Sequence, residues 1–170
     1  KCVGGALIPC EPGTYQNETG RAECIACPPG SYCINGERTV CEPGQYQHSP
    51  GKATCDVCTA TNFCINGFMN VCPFGTYQTQ AAASTCDDCN SNYYCQNGVQ
   101  TICPEGNYTM TSKQAWCPTC PDRHYCTAGV LISCAAGDYQ PETGQNSCLA
   151  CPVGASCNGG VATRCPDGQY

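Results

Sequence analysis

The sequence is short of most of what an ordinary globular core is built from. Across 170 residues, Leu, Ile, Val and Phe number only 20 together, with two Met and one Trp. Burial of so few large apolar side chains cannot offset the backbone entropy of folding, and such a composition otherwise belongs to disordered segments. Charge is scarce too. Thirteen acids and seven bases give a net charge of −6, and no like-charged run exceeds Asp87-Asp88. The lack of a basic stripe excludes nucleic acid as a partner, and no polybasic patch is present for a membrane surface. No apolar run approaches the ~20 residues that cross a bilayer, so this segment is not expected to insert into a membrane.

Further absences bear on chemistry. The only histidines, His48 and His124, have no recurring acid or nucleophile beside them, so no enzyme is expected. Asp87, Asp88 and Asp122 invite a calcium reading. Acidic positions do not recur along the chain, however, and neither a metal nor any other cofactor is expected. No signal-peptide pattern opens the sequence. An extracellular protein is made with one, so a mature chain or a fragment is expected.

What the sequence does have is cysteine, at 22 of 170 residues. That exceeds the roughly 8–10% above which a secreted disulfide scaffold is the default, and it places the chain in an oxidising compartment, outside the cell or at its surface. The cysteines repeat every 31 residues in four series. One is Cys10, Cys41, Cys72, Cys103, Cys134 and Cys165. A second is Cys24, Cys55, Cys86, Cys117 and Cys148, and a third is Cys27, Cys58, Cys89, Cys120 and Cys151. The last is Cys2, Cys33, Cys64, Cys95, Cys126 and Cys157. Each unit reads C-x13-C-x2-C-x5-C-x7. Five full repeats follow, at 10–40, 41–71, 72–102, 103–133 and 134–164, flanked by partial units at 1–9 and 165–170. The expectation is a slice of a longer array, or one that continues into a neighbouring chain.

Other residues keep the period. C-x-x-G-x-Y recurs six times, with Gly13, Gly44, Gly75, Gly106, Gly137 and Gly168 two residues before Tyr15, Tyr46, Tyr77, Tyr108, Tyr139 and Tyr170. A glycine fixed three residues after a cysteine implies positive φ or close chain approach. The tyrosines are expected to lid disulfides and to supply most of each unit's apolar burial; rings facing outward for lateral packing are the alternative. A second aromatic series, Tyr32, Phe63, Tyr94 and Tyr125, is broken by Ser156. "CING", "CQNG", "CTAG" and "CNGG" after the fourth cysteine are hairpin-turn signals. Two short hairpin-like turns per unit and little or no helix are therefore expected, in an elongated small disulfide-rich array. Units this small must lean on their neighbours. The lone Trp116 is expected to pack beside Cys117, and the run Ala81-Ala82-Ala83 suggests a contact surface.

"CEPGTYQ" and "CIACPPGSYC" resemble the ephrin-receptor-like cysteine-rich repeat and, more distantly, the tumour necrosis factor receptor and growth-factor-like modules. The resemblance runs the length of the chain. It implies an extracellular array serving as receptor ectodomain, stalk or surface fibre, and the invariant repeat length favours the structural member of that set. By analogy with the receptor modules it also implies a pairing. Cys10–Cys24, Cys41–Cys55, Cys72–Cys86, Cys103–Cys117 and Cys134–Cys148 close the long loops. Cys27–Cys33, Cys58–Cys64, Cys89–Cys95, Cys120–Cys126 and Cys151–Cys157 close the short ones. Cys2 and Cys165 are left to partners outside this window or in another chain. Interleaved pairing (Cys24 with Cys33, Cys27 with Cys41) and pairing across the Asn-Gly turn (Cys2 with Cys10, Cys33 with Cys41) stay open. So does a zinc site of Cys24, Cys27, Cys33 and Cys41, which the secreted-type composition disfavours.

Asn17-Glu18-Thr19 and Asn107-Tyr108-Thr109 are N-glycosylation sequons, and N-linked and O-linked glycans are the additions expected. The functional expectation is an extracellular structural protein. It would be a stapled segment of a surface fibre, filament or ciliary or flagellar hair, self-associating or continuing a longer repeat chain. The alternative is the stalk or ligand-binding ectodomain of a surface receptor or antigen.

Overall fold

The computed structural model describes residues 1–166, the side chains of Cys2, Val3 and Leu7 excepted. No helix occurs among them, and the regular structure is entirely short antiparallel β-pairs. The longer pair in each repeat is a four-on-four hairpin. In repeat 1, Ser31–Ile34 pairs with Glu37–Val40. The same hairpin is formed by Asn62–Ile65 with Phe68–Val71 and by Tyr93–Gln96 with Val99–Ile102. It recurs as His124–Thr127 with Val130–Ser133 and Ala155–Asn158 with Val161–Arg164.

The turn chemistry explains the hairpin. Two-residue loops that match the right-handed strand twist need positive φ at both central positions. Asn35 and Gly36 supply φ of 55° and 81°, and Asn66-Gly67, Asn97-Gly98, Ala128-Gly129 and Gly159-Gly160 all take the same left-handed pair. Residues 1–9 fit the period as the hairpin half of a unit. Cys2–Val3 pairs with Ala6–Leu7 across Gly4 and Gly5, at φ 58° and 83°.

The second pair is shorter and begins immediately after the recurrent Pro-Gly or its equivalent. Thr14–Tyr15 pairs with Ile25–Ala26, Gln45–Tyr46 with Asp56–Val57, and Asp138–Tyr139 with Leu149–Ala150. Repeat 4 keeps only an isolated bridge between Asn107 and Thr119. Pro118 stands there where other repeats have Ile25, Asp56 or Leu149. It accepts from the Tyr108 N–H at 3.1 Å but has no N–H to return, which removes one rung of the ladder.

The ten disulfides form two alternating classes. Cys10–Cys24, Cys41–Cys55, Cys72–Cys86, Cys103–Cys117 and Cys134–Cys148 span 14 residues. Cys27–Cys33, Cys58–Cys64, Cys89–Cys95, Cys120–Cys126 and Cys151–Cys157 span six. Neither interleaved pairing nor pairing across the Asn-Gly turn is present, and the four thiols of the zinc reading are all in disulfides.

These bridges are the core. Among the described residues, the buried apolar side chains are those of fourteen cysteines. Tyr15, Tyr46, Tyr77, Tyr108 and Tyr139 are partly buried.

The residues group into two compact units. One comprises Lys1–Cys72 with Gln78–Asp87, the other Pro73–Tyr77 with the chain from Asp88 onward.

Candidate functional site: the repeat junction

Gly13 shows how a unit closes on itself. Its N–H donates to the Cys33 carbonyl at 2.8 Å, and its own carbonyl accepts from the Cys27 N–H at 2.8 Å. The glycine is thereby held between both ends of the small disulfide loop. Gly44, Gly75, Gly106 and Gly137 repeat both bonds with their own cysteines, at 2.8–3.1 Å.

Adjacent repeats then meet through three backbone hydrogen bonds. Between repeats 1 and 2, Gly30 N–H donates to Gln47 O at 2.7 Å, Gly51 N–H to Cys27 O at 2.7 Å, and Cys33 N–H to Lys52 O at 3.0 Å. Within the same compact unit, Thr61 donates to Gln78, Ala82 to Cys58 and Cys64 to Ala83, at 2.7–2.9 Å. In the second unit, the equivalent donors Asn92, Lys113 and Cys95 reach Thr109, Cys89 and Gln114, and Arg123, Gly144 and Cys126 reach Gln140, Cys120 and Gln145, all at 2.7–2.9 Å. Because these bonds involve only backbone, they tolerate wide sequence variation, provided the chain between them keeps its length. A one-residue insertion would break the register of all three.

Two close approaches complete the junction. A Cβ on Gly13 would collide with the Gly51 carbonyl, and Gly44, Gly75 and Gly106 stand likewise against Ala82, Lys113 and Gly144. A Cβ on Gly67 would collide with the Gly30 carbonyl, and Gly129 and Gly160 face Asn92 and Arg123 in the same way. The residue met in each case is itself left-handed. Gly30, Gly51 and Gly144 take this without strain, whereas Ala82, Lys113, Asn92 and Arg123 hold φ of 59–71° with a side chain. Ala82 therefore belongs to an inter-repeat contact through its backbone; Ala81 and the Ala82 methyl are exposed.

A third device had only a faint trace in the sequence, the recurrence of Tyr-Gln. The glutamine after Tyr15, Tyr46, Tyr77 and Tyr139 latches the loop that follows. Gln47 Nε2 donates to Thr54 O at 3.1 Å while its Oε1 accepts from Ser49 N–H at 3.0 Å. Gln78 holds Thr85 O and Gln80 N–H, each at 3.0 Å. Gln140 holds Ser147 O at 2.8 Å and Glu142 N–H at 3.1 Å. These three side chains are buried. Gln16 makes the same pair of bonds near the surface. In repeat 4 the position is Thr109, buried, whose hydroxyl donates to Thr111 O at 3.1 Å.

The other singled-out residues are not gathered into one site. Trp116 is 68% exposed rather than packed. His48 rests on Tyr46 with ring centroids 4.8 Å apart, and His124 Nδ1 lies 2.9 Å from Asp122 O. Asp88 pairs with Lys113 at 3.1 Å in an exposed contact. Asn17 is exposed and Asn107 half-buried. Among the described residues Cys165 is the cysteine without a disulfide; Gly168, Tyr170 and the Cys2 side chain lie outside them. No group of three His, Cys, Asp or Glu side chains placed to hold a metal occurs among the described residues.

The outer faces of the hairpins carry apolar side chains at equivalent positions. Phe68, Val99, Val130 and Val161 are 39–49% exposed, as are Ile34 and Ile65 at the preceding turn flank.

A fold of stapled hairpins joined by backbone bonds is a cysteine-rich tandem-repeat array. The chain matches the family model described as tyrosine-protein kinase ephrin type A/B receptor-like over residues 8–39 and 132–164. With the repeated disulfide pairs, this match supports reading the 31-residue unit as an ephrin-receptor-like cysteine-rich repeat. No curated protein matches the chain.

Proposed function

We propose that the chain is a segment of the ectodomain of a cell-surface protein, a stapled array that holds partner-facing side chains at a constant interval. The observation that carries this is the junction. The same three backbone hydrogen bonds and the same glycine contacts recur between repeats of very different sequence. The resemblance to receptor-type repeats supports an extracellular setting, as does a core made of disulfides, which persist in oxidising compartments. The exposed apolar residues at equivalent hairpin positions supply the partner-facing chemistry.

A second reading, a building segment of a surface fibre, is favoured by the invariant 31-residue repeat length, which keeps every junction in the same register. Electron microscopy of the native protein, purified without reductant, separates the two. Discrete particles support the ectodomain; filaments with an axial repeat commensurate with the 31-residue unit support the fibre and overturn the first reading.

A further inference from the structure

The two sequons stand at different places in the repeat, and the fold treats them oppositely. Asn17 aligns with His48, Thr79, Met110 and Pro141, all exposed at the tip of the latched loop. Its own acceptor Thr19 is exposed as well, and among the described residues the Asn17 side chain makes no hydrogen bond. Two open grooves flank it, one lined by Tyr15, Gly36, Glu37 and Arg38, the other by Arg21, Ala22, Glu23 and Ile25. Proximal sugars have room there and an aromatic and an aliphatic wall to lie against.

Asn107 is the reverse. Its acceptor Thr109 fills the latch position and is 3% exposed. The Thr109 hydroxyl donates to Thr111 O, its N–H donates to Gly129 O at 3.1 Å, and its carbonyl accepts from Asn92 N–H at 2.9 Å. Asn107 Nδ2 donates to Glu105 O at 3.2 Å. The folded chain thus holds this sequon in the junction between repeats 3 and 4.

We infer that Asn17 is the N-glycan attachment site of this chain and that Asn107 is bypassed. In the transfer, Asn17 Nδ2 bonds to the anomeric carbon of an oligosaccharide donated from a lipid diphosphate. The lipid diphosphate leaves, and the amide nitrogen gives up one proton. A bulky polar glycan at a loop tip leaves every junction contact intact, whereas one at Asn107 would sit beside a buried latch. The inference rests on the extracellular reading, so its test supplies the compartment independently. The chain is expressed behind a secretory signal in eukaryotic cells, the secreted product is deglycosylated enzymatically in heavy-oxygen water, and labelled Asp is located by peptide mass spectrometry. Label at position 17 and none at 107 is expected. N17Q and, separately, T19A should each remove the whole glycan mass, and N107Q should leave it unchanged. An unlabelled position 17 or a labelled position 107 overturns the inference. Locating the native protein in its own cells tests the extracellular reading separately.

Discussion

Gly13 and Gly51, one repeat apart, approach so closely that the Gly51 carbonyl occupies the space a Cβ on Gly13 would need. Gly13 also sits at φ 86°, where a side chain is strained regardless of neighbours. The period of the sequence and the packing of the fold meet at this contact.

The two costs can be separated. Gly51 has φ of 74° and no atom within reach of an added Cβ, whereas Gly44 has φ of 86° and the Ala82 backbone against it. Gly51→Ala should cost about 1–2 kcal/mol from the left-handed conformation alone. Gly44→Ala should cost a further ~1–3 kcal/mol from overpacking. Denaturant midpoints of the two variants, with disulfides intact, measure the difference; equal losses would remove the inter-repeat contact from the account.

Thr61 presents the opposite case. A β-branched residue held at φ 68° occupies a position that is Gly30 in repeat 1 and Gly154 in repeat 5. Thr61→Gly should stabilise the protein by about 1 kcal/mol, the lower end of the left-handed cost, because the Thr61 N–H to Gln78 O bond survives the change. A lower thermal midpoint for the variant would contradict this.

The latch predicts a local signature. Gln78→Ala leaves the Gln80 N–H and the Thr85 carbonyl without their partner and should cost about 1–3 kcal/mol. Amide exchange at Gln80 should quicken while amides in the other compact unit stay protected. Uniform acceleration along the chain would mean the glutamine acts globally rather than on its own loop.

Reduction should be ordered. Cys27, Cys33, Cys58, Cys64, Cys89, Cys95, Cys120 and Cys126 are fully buried, whereas Cys24, Cys55, Cys86 and Cys117 are partly accessible. A limiting thiol reductant followed by alkylation should therefore label the long-loop bridges first, since exchange requires access to a sulfur. Removing one long bridge by Cys72→Ser with Cys86→Ser should cost roughly 3 kcal/mol in the chain-entropy picture. Early labelling of Cys58 and Cys64 would refute the burial order.

Much of this was legible beforehand because it is written in local chemistry. Asn-Gly favours a type I′ turn, so the hairpins at 31–40 and 62–71 could be anticipated from those residues. Pro118 likewise carries the loss of one rung in repeat 4. Aromatic recurrence alone does not tell a partly buried ring from an enclosed one, so the degree of burial of the tyrosines was not legible. Trp116 misled for a related reason: adjacency to Cys117 says nothing about which face has a neighbour above it. The buried glutamines were nearly invisible, since a polar side chain next to a tyrosine reads as solvent-facing until the loop closes around it.

The sequence by itself determined the 31-residue period, the cysteine-rich class and the turn types, all of which follow from covalent geometry and composition. Only the tertiary structure decided that sulfur fills the core and that glycines serve the neighbouring repeat. It also separated a sequon at an open loop tip from one locked into a junction. Those outcomes depend on which atoms come within contact distance when the chain folds, and spacing alone does not encode that distance.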